Sequence, residues 1–227
     1  MAGYLAGFPD TTNVLAINRL CSSGLEATSI IASKIKSGVI DIGIGAGVEN
    51  MSMYDMNKSL DTEKISDAVF EHEKARNCMI PMGVTSENVA EMYKISREIQ
   101  DKFAVESHRK ASAAQDNGLF NEEIVVVKTT VKDKDGNEKE VTITQDDGIR
   151  KQTTFEGLSK LKPAFKKEGS TTAGNASQVT EGAAGVLLAR RSVAEKLGLP
   201  ILAKFVAYAV SGVPPEIMGK YLILVQF

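Results

Sequence analysis

The sequence predicts an α/β fold with a parallel core, on three observations near its start. Val14–Ile17 is a short apolar run. A helical pattern follows in which Ala27, Ile31 and Ile35 recur every fourth residue. Ile40–Val48 (IDIGIGAGV) then offers no helical face, because its glycines and β-branched residues suit a buried strand. Strand, helix and strand in this order make a crossover unit, which pairs its strands in parallel.

Each element has a local reason. Ser23 and Glu26 stand in capping-box spacing, so the first long helix begins just after Cys21, and Gly38 stops it. Met51–Met79 is polar with little periodicity and reads as an excursion with one short helix at most. Thr85, Ser86 and Glu87 open a helix reaching about Tyr93. Ser96 with Glu98 opens another, with Ile99 and Phe103 on one face and Asn117-Gly118 at its end. The β-branched runs Ile124–Val131 and Val141–Thr144 flank Asp135-Gly136, a hairpin with a mobile tip. Beyond a loop containing Pro163, Gly182–Ala189 is a strongly apolar strand. A short helix follows, with Ser192 and Glu195 in capping-box spacing and Gly198 beyond, and Ile201–Val210 is a last strand. The core is thus split by an insertion running from Met51 to Ala173.

Composition narrows the function classes. With 227 residues, 43% hydrophobic and 25% charged, the chain is neither disordered nor collagen-like. Its 27 Lys and Arg against 29 Asp and Glu include no basic block, so nucleic acid is not an expected partner. Two cysteines cannot make a disulfide framework, which favours a reducing compartment, and no apolar run approaches the ~20 residues of a membrane-spanning helix. No metal site is read.

Cys21 falls where strand meets helix, and unpaired N–H groups at a helix N-terminus favour a thiolate. Placement alone fits a buried structural cysteine equally well. The residues around it are more specific. Asn18–Leu25 (NRLCSSGL) resembles the nucleophile segment of the thiolase family, and four further segments agree in thiolase order. They are Ile42–Met51 (IGIGAGVENM), Pro81–Ala90 (PMGVTSENVA), Asp146–Arg150 (DDGIR) and Thr171–Gln178 (TTAGNASQ). The wording is nearest to the peroxisomal 3-ketoacyl-CoA branch of that family, particularly the plant type. A related condensing enzyme such as a ketoacyl synthase would share the fold and cysteine, but SENVA, DDGIR and TAGNAS together disfavour it.

The resemblance implies a thiolase-like layered α/β fold. Residues 1–50 and 174–199 would be a partial N-terminal domain, 51–173 an inserted loop domain for CoA, 200–219 the start of the C-terminal domain, and 220–227 a divergent tail. It implies an acyltransferase of fatty-acid β-oxidation that uses Cys21 as nucleophile. CoA and 3-ketoacyl-CoA would be substrates rather than cofactors, the family assembly a homodimer, and the compartment the peroxisome, although neither end carries an address. By position, Met82 would line the acyl pocket, Arg150 would pack at the adenine end, Phe165 and Ala173 would touch pantetheine, and Ser177 would hydrogen-bond it. Without the resemblance, Arg150 reads as a solvated charge, Phe165 and Met82 as core, and Ser177 as a turn cap. His72, His108 and Cys78 read as structural.

The family's histidine base, second active-site cysteine and Asn-held water belong to its C-terminal half. Lys220–Phe227 (KYLILVQF) departs from the pattern, so the resemblance implies a chain cut at both ends, poorly active alone, with an aggregation-prone tail. A non-catalytic isoform that binds an intact thiolase subunit is the alternative.

Overall fold

The computed structural model describes residues 1–53, 62–134 and 136–222. In chain order its elements are α1 (Ala2–Leu5), α2 (Ser23–Lys36), β1 (Ile42–Glu49), a 3-10 turn at Thr62–Lys64, α3 (Asp67–Glu71), α4 (Glu73–Asn77), α5 (Met82–Tyr93), α6 (Arg97–Asp116), β2 (Val127–Lys132), β3 (Glu138–Ile143), α7 (Phe155–Ser159), β4 (Gly182–Ala189), α8 (Arg191–Lys196) and a kinked 3-10 segment at Pro215–Leu222. Two units result, one from Met1–Asp61 with Val179–Val210, the other from Thr62–Gln178 with Ser211–Phe227.

In the first unit β1 pairs with β4, from Ile42 opposite Ala189 to Glu49 opposite Gly182. Helix α2 lies on one face of β1, and alternate glycines let it approach. A Cβ on Gly45 would fall 2.7 Å from the Thr28 Cα, and one on Gly43 would fall 2.9 Å from an Ile31 methyl. Strand periodicity puts both glycines on one face, while Thr28 and Ile31 are neighbours on one helix stripe. Arg190 fastens the assembly. Its N–H donates to the Asp41 carbonyl at 2.8 Å, its Nε pairs with Asp41 Oδ1 at 2.7 Å, and a terminal nitrogen donates to the Ile35 carbonyl at 2.8 Å, near the C-terminal end of α2.

In the second unit α5 and α6 are joined at Lys94, which takes the left-handed conformation (φ 54°) that closes a helix. Ser96 caps α6, its hydroxyl accepting from Ile99 N at 3.3 Å. Strands β2 and β3 form an antiparallel hairpin in which Asp133 accepts from Asn137 N at 2.9 Å and Gly136 takes φ +85°. Its other expected turn residue, Asp135, lies outside the described residues. The buried apolar side chains Ala90, Ala104, Leu158 and Ile217 belong to this unit.

Several expectations are corrected. The β1 partner is antiparallel rather than parallel, because the Val14 run makes no ladder and the pairing strand comes from Gly182–Ala189 instead. Val14–Ile17 and Ile201–Val210 have no strand partner among the described residues, so neither is a strand, and β1 is exposed over most of its length. The capping boxes do not form, since α2 and α8 start at Ser23 and Arg191 without a side-chain cap. Helix α5 begins at Met82, earlier than Thr85, because Pro81 takes an extended conformation immediately before it. The excursion holds α3, α4 and a 3-10 turn rather than one helix at most. Residues 54–61 of that excursion, and 223–227 of the tail, lie outside the described residues.

Candidate active site

Cys21 is exposed on a tight turn ahead of α2. Leu20 before it has φ 50°, a left-handed conformation that costs a branched residue about 1–2 kcal/mol. Short polar side chains hold this turn. Asn18 Oδ1 accepts from Leu20 N at 2.8 Å, while Ser23 Oγ accepts from Arg19 N at 2.8 Å and donates to the Leu20 carbonyl at 2.7 Å. Ser23 therefore braces the Cys21 turn instead of capping the helix. Arg19 pairs with Glu26 at 3.2 Å, and the Tyr208 hydroxyl also bonds Glu26, an interaction that pushes the phenol above its ordinary value.

The other candidate residues lie in the second unit. Phe165 covers Gly83, where a Cβ would fall 2.3 Å from its ring, so only glycine permits that contact beside Met82. Met82, half exposed, lines a groove of ≈ 350 Å³ with Ser86, Val89, Gln100 and Met218. Ala173 is exposed, and so is Ser177, whose hydroxyl donates to the Gln178 carbonyl at 3.2 Å. Arg150 is exposed, with its backbone N–H donating to His108 Nδ1 at 3.2 Å. The Asp146–Arg150 segment meets the end of the Thr171–Gln178 segment, since Gln178 Nε2 donates to the Gly148 carbonyl at 2.7 Å. His72 caps α4 by accepting from Ala75 N at 3.3 Å.

The residues that shape this loop are ones that sequence reading missed. Glu87, buried on α5, accepts from Thr171 N at 2.7 Å, from Ser170 N at 2.9 Å and from Ser170 Oγ at 3.1 Å. Burial alone pushes its carboxyl up, but the Thr171 and Ser170 amides and hydroxyls outweigh burial and hold it below its ordinary value. Asp101, also buried, accepts from Arg97 Nε at 2.7 Å and from Asn175 Nδ2 at 2.9 Å. Arg97 reaches on to the Leu158 carbonyl at 2.6 Å and the Leu161 carbonyl at 3.1 Å. Acidic residues on amphipathic helices look solvent-facing in a sequence. The pointer available was SENVA, which carries Glu87.

Comparison with known proteins gives this arrangement its context. The family described as thiolase, N-terminal domain, matches residues 1–192. The human peroxisomal 3-ketoacyl-CoA thiolase is 57% identical over 96% of this chain and 51% of its own length. The Arabidopsis thaliana peroxisomal 3-ketoacyl-CoA thiolase 2 is 53% identical over 96% of this chain and 47% of its own. Among solved structures, the dimeric peroxisomal thiolase of Saccharomyces cerevisiae superposes with a TM-score of 0.83 at 48% identity, covering 96% of this chain and 54% of that one. The chain spans about half the length of these relatives. Its α/β fold is thiolase-like, and the chain belongs to the thiolase family.

Proposed function

We propose that the protein is a 3-ketoacyl-CoA thiolase (acetyl-CoA C-acyltransferase), with Cys21 as the nucleophile. The observation that carries this is the exposed Cys21 on its strained turn ahead of α2, within a chain of this family. Its sulfur would add to the C3 carbonyl of a 3-ketoacyl-CoA. The C2–C3 bond then breaks, its electron pair leaving on C2, which takes a proton to give acetyl-CoA. The acyl group stays as a thioester on Cys21 until the thiolate of a second CoA attacks it and frees the enzyme. CoA is a substrate here and no cofactor is needed.

Met82, Phe165, Ala173 and Ser177 would bind the acyl and pantetheine parts, with Arg150 at the adenine. His72 and His108 each accept a backbone N–H at Nδ1, from Ala75 and from Arg150. The names of the relatives support a peroxisomal location, and the dimeric yeast structure supports a homodimer. Thiolysis of acetoacetyl-CoA by CoA tests the reading. Turnover abolished by Cys21→Ser supports it, and turnover that survives this substitution overturns it.

A further inference from the structure

We infer that Glu87 is a positioning residue for CoA, its carboxylate fixing the backbone at Ser170 and Thr171 so that the loop through Ser177 keeps its ligand-binding shape. This rests on the reading above, in which Ala173 and Ser177 meet the ligand.

The loop has no ladder to hold it, since residues 170–181 contain no helix or strand. Side chains from α5 and α6 replace one. Glu87 receives two consecutive amides, Gln100 Nε2 donates to Ser170 Oγ at 2.8 Å, and the hydroxyls of Ser86 and Thr171 are 2.9 Å apart. Successive N–H groups converging on one anion are a backbone nest, occupied here by a carboxylate of the chain itself. Gly169 permits the approach, since a Cβ there would lie 2.4 Å from Glu87 Oε1. Ser170, Thr171 and Thr172 are buried, whereas Ala173 is exposed. The carboxylate therefore grips the loop directly before its exposed portion. A carboxylate only accepts hydrogen bonds, whereas glutamine of the same shape would turn a donor toward two donors.

The test is Glu87→Gln in the full 227-residue chain, read by calorimetric titration with CoA and by amide hydrogen exchange. Glu91→Gln, one turn on, removes an exposed partner of Lys166 and serves as the control. Glu87→Gln is expected to weaken CoA binding by roughly ten- to a hundredfold. Protection at the Ser170 and Thr171 amides should fall with it, protection along α6 should hold, and Glu91→Gln should change neither. CoA affinity within twofold of the parent overturns the inference, as does protection lost equally along α5 and α6, which marks Glu87 as structural only. If Glu87→Gln fails to fold, Glu87→Asp replaces it. That variant keeps the charge but shortens the reach, and unchanged affinity there is equally fatal. A parent chain that protects these amides but binds no CoA sinks the functional reading rather than Glu87's hold on the loop.

Discussion

Asn175 and Asp101 join a loop to a helix: the Asn175 carboxamide donates to Asp101 Oδ1 at 2.9 Å, while its own oxygen accepts from Thr172 N at 2.7 Å. One side chain thus closes the turn at Thr172–Asn175 and ties it to α6. Asp101 in turn orients Arg97, which holds two carbonyls beside α7.

Removing that carboxylate takes the acceptor from Arg97 Nε and one of two acceptors from Asn175 Nδ2, which keeps the Ser170 carbonyl at 2.9 Å. Asp101→Ala is expected to destabilise the second unit by about 3 kcal/mol, the lower end for a broken buried pair because Arg97 retains some access to water. Urea unfolding measures this. A loss under about 1 kcal/mol would mean that water replaces the network.

Gly45 and Gly47 should answer differently to alanine. A Cβ at Gly45 would fall 2.7 Å from the Thr28 Cα, which is backbone and cannot step aside, whereas one at Gly47 would be 3.8 Å from the Gly24 Cα. Gly45→Ala is expected to cost about 1–3 kcal/mol as α2 is pushed off the sheet, and Gly47→Ala to be neutral or slightly stabilising. Thermal melts of the two variants decide it, and equal midpoints contradict the packing described.

Acid should loosen the second unit through Glu87. Its folded-state value is held down, so its contribution is complete above the unfolded carboxylate value of about 4.3 and is lost as the pH falls through the lowered folded value. Stability compared at pH 6 and at decreasing pH below about 4.5 should show the parent chain losing more than Glu87→Gln does. Parallel profiles for the two would remove Glu87 from the account.

Alkylation reports on Cys21. Both cysteines are exposed, but Cys78 donates its S–H to the Lys74 carbonyl at 3.4 Å at the C-terminal end of α4, whereas Cys21 stands on the strained turn after Leu20. Iodoacetamide at neutral pH is expected to modify Cys21 several-fold faster, as followed by peptide mass analysis. Equal rates at the two cysteines argue against an activated Cys21.

Features that depend on a few neighbouring residues were legible in the sequence: the stop at Gly38, the Ser96 cap of α6, the hairpin and the Gly182–Ala189 strand. The five motifs in order pointed to the family. Pairing and burial were not legible, because they join residues far apart in the chain. Tertiary structure set β1 antiparallel to β4, left Val14–Ile17 and Ile201–Val210 without ladders, and turned Ser23 from a helix cap into a brace for the Cys21 turn. It also took Glu87 and Asp101 out of water. On a helix, a carboxylate reads as solvent-facing until folding brings donors to it, and Ser170, Thr171 and Asn175 are more than 70 residues away along the chain.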